Sequence, residues 1–219
     1  MTEQRLVHIV DDEDAIRRST GFMLRTAGFA VRTWESGVAF LHAARSVAPG
    51  CILLDVRMPE MDGLEVQRAL ASRGVALPVI VLTGHGDIAT AVAAMKNGAV
   101  DFVEKPFEKA HLLRALDAGF HRLDRRQEEL AGAQEAAVRV AALTPRERDV
   151  LDGLARGHPN KTIAYDLGIS HRTVEVHRAN VMGKLDVHSL SDALRIAFAA
   201  GLGTAARPDA ADRTVRDVT

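Results

Sequence analysis

"GCILLDVRMPEMDG", residues 50–63, decides the fold. Cys51 to Leu54 form a short, continuous apolar run that ends on one carboxylate, Asp55, with Pro59 and Gly63 close behind. Such a run, bounded by turn residues, suits a strand of a parallel sheet covered on both faces. Four more runs of this kind occur: Leu6–Val10, Ala30–Thr33, Val79–Leu82 and Ala99–Val103. Helical patterns lie between them. Asp14 to Ala27 carries Ile16, Thr20, Met23, Leu24 and Ala27 on one stripe and stops at Gly28. Ser36–Arg45, Leu64–Ser72 and Asp87–Asn97 follow, and a fifth helix starts near Glu108. Strand and helix alternating five times over predict a doubly wound α/β domain with right-handed crossovers. In such a sheet, ligands sit beyond the carboxyl ends of the strands.

Composition bounds the rest. The 219 residues are 47% hydrophobic, with 28 Lys+Arg against 29 Asp+Glu. That balance excludes a disordered acidic chain and a histone-like basic one. The length allows one or two domains. A single cysteine, Cys51, rules out an intramolecular disulfide, and its apolar setting marks a buried small hydrophobe. The first residues, "MTEQRLVHIV", lack the apolar stretch of a signal peptide, and no window approaches a membrane span. A soluble, cytoplasmic chain with no membrane partner is expected.

Beyond Phe120 the character changes. "HRLDRRQEELAGAQEAAVRVAAL", residues 121–143, is rich in Ala, Arg and Glu. Leu116, Leu123 and Leu130 fall seven apart, which leaves a solvated helical connector and a coiled dimer seam both open, the connector favoured. From Thr144 only short helices are predicted. Thr144 is an N-cap with Pro145 at the first helical position and Glu147 three residues after the cap. Gly168 ends one helix and Ser170 caps the next. The expected layout is 1–120, a first domain; 121–142, a helical linker; 143–203, an all-α domain; and 204–219, a polar tail expected to be disordered.

Asp11 and Asp12 end the first predicted strand, Asp55 the third and Thr83 the fourth, and the fifth runs into Lys105. All therefore reach one edge of the sheet. Each has an ordinary structural alternative: a helix N-cap for the acidic pair, a turn residue for Thr83, a plain ion pair for Lys105. Together they crowd three carboxylates at one place, where mutual repulsion disfavours full ionisation. A hard divalent cation relieves that, and Mg²⁺ suits carboxylates with a backbone carbonyl and waters. Beside it, Asp55 is a carboxylate nucleophile, and the reaction implied is phosphoryl transfer onto an aspartate. Lys105 and Thr83 would contact phosphoryl oxygens, and Gly84 leaves room for the group to enter. No strong general base is present to hydrolyse the acyl phosphate, which suits a switch with at most slow self-dephosphorylation rather than an enzyme.

"VDDE", "LLDVRMPEMDG", "VLTGHGD" and "AVDFVEKPF" match in order and spacing the receiver domain of two-component response regulators, which residues 1–120 resemble. The resemblance implies a flavodoxin-like sheet of order 2-1-3-4-5 and phosphorylation of Asp55 by a sensor histidine kinase. It implies Mg²⁺ on Asp12, Asp55 and the carbonyl of Arg57, with Asp11 assisting through water. Thr83 and Lys105 would hold the phosphoryl group, and Phe102 would turn inward when Thr83 moves. Phenylalanine replaces the tyrosine of many receivers, so this switch works by packing alone. The Lys105-Pro106 bond is commonly cis in this family.

In the second domain a helix, the turn Gly168-Ile169-Ser170 and another helix give a helix-turn-helix pattern. Val174, Val181 and Leu185 should face its core, with Met182 adjacent. The opposite face carries Arg172, Thr173, Glu175, Val176, Ala179 and Lys184. The ordinary alternative is a solvated helix face. Against it, Val176 and Ala179 can meet a thymine methyl and Glu175 can accept from cytosine. Lys161, Arg172, Arg178 and Lys184 are the phosphate candidates. His8 and His177 read as structural, and His171, His177 and His188 lack metal-ligand geometry. His85 is either a tuner of acyl-phosphate lifetime or a loop histidine.

"LTPRERDVLDGLARGHPNKTIAYDLGISHRTVEVHRANVMGKL" is similar to the LuxR-type four-helix DNA-binding domain, and the pairing with the receiver motifs most resembles the FixJ subfamily. That implies double-stranded DNA with a pseudo-palindromic operator and RNA polymerase as partners. It also implies a homodimer formed on phosphorylation through residues 87–107, with pairing of the last helices near 190–200. Two rivals stand beside this regulator. An aspartyl-phosphate phosphohydrolase usually carries a second Asp two residues after the nucleophile, where this chain has Arg57. A receiver joined to an RNA- or protein-binding domain, or acting as a phosphate sink, is disfavoured by the recognition-helix pattern.

Overall fold

The computed structural model describes residues 4–84 and 88–204. His85, Asp87 and the tail from 205 onward therefore lie outside the described residues. The chain divides into two compact units, residues 1–127 and 128–219.

In the first unit, β1 (Leu6–Val10), β2 (Ala30–Trp34), β3 (Cys51–Asp55), β4 (Val79–Thr83) and β5 (Asp101–Glu104) form one sheet of order β2-β1-β3-β4-β5, every neighbour parallel. Helices α1 (Asp14–Thr26), α2 (Gly37–Ala43), α3 (Gly63–Ser72), α4 (Ile88–Lys96) and α5 (Lys109–Ala141) connect and follow the strands. β3 and β4 are buried at every residue. Their alternation sorts side chains between two cores. Ile52, Leu54, Val79 and Val81 join Phe40, Val66 and Leu70 on one face. Cys51, Leu53, Ile80 and Leu82 join Leu24, Leu112 and Leu116 on the other. Burying each such aliphatic is worth about 2 kcal/mol.

Two buried groups on the central strands are notable. His8 Nε2–H donates to the Ala48 carbonyl at 3.0 Å, and its Nδ1 accepts from the Trp34 indole N–H at 3.4 Å. Those partners fit a neutral ring, and burial lowers its pKa. Cys51 packs against α5 so closely that a Cβ on Gly119 would lie 2.8 Å from its sulfur.

β5 begins at Asp101 rather than Ala99. Gly98, at φ 90, closes α4, and the Ala99 N–H returns to the Ala94 carbonyl at 3.1 Å, so Ala99 is buried as part of that turn. The expected fifth helix and helical linker are one element: α5 runs 33 residues without a break. Leu112, Leu116, Phe120 and Leu123 belong to the first unit's core, while Ala136 and Val140 lie buried at its far end. Leu130, by contrast, is 54% exposed.

The second unit holds α6 (Pro145–Ala155), α7 (Asn160–Leu167), α8 (His171–Lys184) and α9 (Leu190–Ala199). Thr144 caps α6 in a full capping box with Glu147, and Ser170 caps α8. Gly168 ends α7 at φ 65, a left-handed turn that favours glycine. Val150, Ile163, Ala164 and Val174 form one cluster; Leu151, Val181, Leu185, Ala193 and Ala197 form another with Val140 and Leu143. Among the described residues no helix is long and apolar enough to cross a membrane.

Candidate functional site

At the carboxyl edge of the first sheet the strand ends bring Asp11, Asp55, Thr83 and Lys105 together. Asp11 and Asp55 are 0% and 6% exposed, a costly position for two acids. One cation meets that cost. The Lys105 ammonium donates to Asp11 Oδ2 at 2.7 Å and to Asp55 Oδ1 at 2.6 Å. Burial pushes the Asp55 pKa up, and the Lys105 bond and charge offset this only in part; the Arg57 backbone also reaches it. Burial alone would lower Lys105, but its bonds to Asp11 and Asp55 outweigh that and hold it above the ordinary lysine range. The arrangement is a buried, electron-rich oxygen poised beside a permanent positive charge. The Lys105-Pro106 peptide is cis.

The other residues of the predicted set surround this cluster. Asp12 is exposed and Arg57 has an exposed side chain. Among the described residues no three acidic, imidazole or thiol groups stand in a metal-holding array. The donor set nevertheless has the chemistry of a hard-cation site, carboxylate oxygens with little competing nitrogen or sulfur. Thr83 is buried, but its hydroxyl turns to the Gly84 carbonyl at 3.4 Å rather than to the acids. Phe102 points outward, 39% exposed. It borders a cavity of about 320 Å³ that Thr83, Gly84, Ile88, Val92 and Met95 also line.

The loops that frame the pocket are tightly specified. Asp62 caps α3 in a capping box with Glu65, and Gly63 donates to the Val56 carbonyl at 2.9 Å. Glu13 N–H binds Asp11 Oδ1 at 2.9 Å. Arg17, which the sequence motifs did not single out, donates to the carbonyls of Asp11 and Asp12. An arginine early in a helix, where the dipole disfavours it, is the signal that marks it in retrospect.

In the second unit, α8 presents Arg172, Glu175, Val176 and Ala179 as exposed side chains, and Lys161 is exposed on α7. Thr173 is partly buried, its N–H bound to the Ser170 cap. Glu175 lies 3.5 Å from His171 and Arg178 donates to Asn160 at 2.9 Å. His177 is partly buried, with an Nδ1 that meets no hydrogen-bond partner among the described residues.

Lys184 has a partner that the sequence reading does not name. Its ammonium donates at 2.7 Å to Glu147, which is 4% exposed. The Lys184 and Thr144 bonds hold the Glu147 carboxyl down to about 2. This stability is present above the ordinary glutamate range and is lost as pH falls through about 2. Lys184 is 41% exposed, so solvent screens the pair, and Lys184→Met is expected to cost only about 1 kcal/mol. Urea melts at pH 7 should show that loss, and the gap between variant and wild type should close on acidification. A Lys184 that instead served phosphate would leave stability alone and lower the salt dependence of DNA binding.

Comparison with known proteins follows the same division. Residues 7–117 match the family model described as "Response regulator receiver domain", and residues 141–197 match "Bacterial regulatory proteins, luxR family". The transcriptional regulatory protein FixJ of Azorhizobium caulinodans is 48% identical over 205 residues, 94% of this chain and 97% of that one. The crystal structure of full-length FixJ from B. japonicum is 44% identical with a TM-score of 0.57, covering 91% of this chain and 98% of that chain. The structure of the response regulator StyR is 39% identical with a TM-score of 0.73, covering 90% and 99%.

Proposed function

The chain belongs to the FixJ family of response regulators, transcription factors that join a receiver to a LuxR-type DNA-binding domain, and from that premise we propose that Asp55 is its phosphoacceptor. The observation that carries this is the Lys105 ammonium bridging Asp11 and Asp55 at 2.7 and 2.6 Å. It leaves one acidic oxygen pair buried, oriented and charge-compensated at the ligand edge of the sheet. A sensor kinase phosphohistidine supplies the group. The Asp55 carboxylate oxygen attacks phosphorus, the histidine nitrogen leaves with the bonding pair, and Lys105 neutralises charge on the transferred oxygens. Asp11, Asp12, Asp55 and the Arg57 carbonyl would hold Mg²⁺, which supplies further charge neutralisation when bound.

The switch follows from geometry beside the acceptor. Thr83 turns its hydroxyl from Gly84 to the new phosphoryl oxygen, and the Phe102 ring moves into space bordered by Thr83. Its retreat reshapes the face of Ile88, Val92 and Met95, which are 77%, 47% and 43% exposed. Two copies then pair through that face, with the α9 helices pairing beside the DNA. The receiver spans 1–120, the linker 121–142 and the DNA-binding domain 143–203. Arg172, Glu175, Val176 and Ala179 read bases in successive major grooves, with Lys161, Arg172, Thr173 and Arg178 toward the backbone. RNA polymerase is the onward partner.

The test selects duplexes from a random pool with the full chain, magnesium and acetyl phosphate. The expected product is a pseudo-palindrome with half-sites about one helical turn apart. Selection of unrelated sequences, or equal selection without phosphoryl donor, would overturn the reading.

A further inference from the structure

Arg17 occupies the fourth position of α1, near the positive end of the helix dipole. It is nonetheless held firmly, with its side chain only 15% exposed. Nη1 donates to the Asp11 and Asp12 carbonyls, both at 2.8 Å, and Nη2 reaches Asp14 Oδ1 at 3.3 Å. Those carbonyls belong to Asp11, whose carboxylate binds Lys105 in the pocket, and to the neighbouring, exposed Asp12. On the strand side, the Asp11 N–H donates to the Trp34 carbonyl at 3.2 Å. The loop is thus tied to β2 on one side and to Arg17 on the other. A planar guanidinium can fix two carbonyls in one orientation, which a lysine ammonium on a flexible stem does poorly.

We propose that Arg17 is a positioning residue for magnesium at the acceptor pocket, holding the β1–α1 loop so that Asp11 and Asp12 present their carboxylates to the ion. The inference rests on the phosphoacceptor reading above. Groups that orient metal ligands without touching the metal typically change affinity by 10- to 100-fold when removed. The sign of the effect separates two roles. A guanidinium acting through charge alone repels a dication, so its removal would tighten magnesium binding. A positioning role demands the reverse.

The test melts the full chain over a magnesium chloride series at constant ionic strength, because an ion that binds only the folded chain raises its melting temperature. Arg17→Met is expected to raise the half-saturating magnesium concentration about tenfold, with Arg17→Lys in between. The magnesium needed for half-maximal uptake from acetyl phosphate should shift likewise, while the rate at saturating magnesium stays within about twofold. An unchanged or tighter response in Arg17→Met would overturn the proposal, as would a lower melting temperature with the magnesium increment intact. If Arg17→Met fails to fold, Arg17→Lys decides alone, a raised requirement supporting and an unchanged one overturning. A wild-type chain without any magnesium response removes the pocket reading and this one together. A normal wild-type response with indifferent Arg17 variants removes only this one.

Discussion

An Asp55→Asn chain is expected to take up no phosphoryl group from acetyl phosphate and to bind its operator no better with magnesium and donor than without them. The wild type should gain at least about tenfold in affinity, a shift of roughly 1.4 kcal/mol. The substitution is nearly isosteric, and it exchanges the nucleophilic carboxylate oxygen for an amide. Its effect on stability should be opposite in direction. The Asp55 pKa is raised by burial, so ionisation of this group works against folding. Stability from its protonated form is fullest below the ordinary aspartate range and is lost as pH rises through the folded value. At pH 7 the amide removes that penalty, and Lys105 keeps its bond to Asp11. Asp55→Asn should therefore melt no lower than wild type. Loss of phosphoryl uptake with an undiminished melting temperature is a result that general misfolding cannot produce. Residual incorporation at the wild-type level, seen by intact mass, would refute Asp55 as acceptor.

Gly63→Ala should be the most damaging small substitution near the pocket. An added Cβ would lie 2.2 Å from the Asp55 carbonyl oxygen and 3.0 Å from the Val56 Cα. These are backbone atoms of the strand that carries the acceptor, so nothing can swing aside. The alternatives are to move α3 away or to bend the end of β3, and overpacking of this kind costs about 3 kcal/mol. The urea midpoint should fall accordingly, and phosphoryl uptake should slow because Asp55 moves relative to Lys105. Gly132→Ala is the control. It lies inside α5, where a Cβ meets nothing within 4 Å, so it should stabilise by about 0.5–1 kcal/mol. A Gly63→Ala chain as stable as wild type would show that the loop can yield.

Much of this is legible in the amino-acid sequence. The apolar runs located the strands because β3 and β4 are covered on both faces, and a strand of that kind has no polar side to confuse the reading. Lys105 and the acids were legible because residues at successive strand ends must share an edge. What escaped was set by tertiary packing. Ala99 looked like strand because it is apolar, yet it is buried within the turn that ends α4. No proline or cap separates Phe120 from the residues after it, so nothing local marks where the receiver's last helix becomes a connector. The Lys184 bond to Glu147 escaped because its partner comes from 37 residues earlier. Arg17 was missed because its partners are backbone carbonyls, which carry no signature in side-chain identity.

The lone thiol gives the molecule a built-in clock. Cys51 is 0% exposed, its sulfur 3.9 Å from the Leu116 carbonyl, and burial pushes its pKa up to about 12. Alkylation requires thiolate and access, and the native strand offers neither. Reagent will therefore modify the chain only through openings that expose this core, whether α5 lifts from β3 or the receiver unfolds as a whole. The rate of modification reads those openings without any label added to the protein.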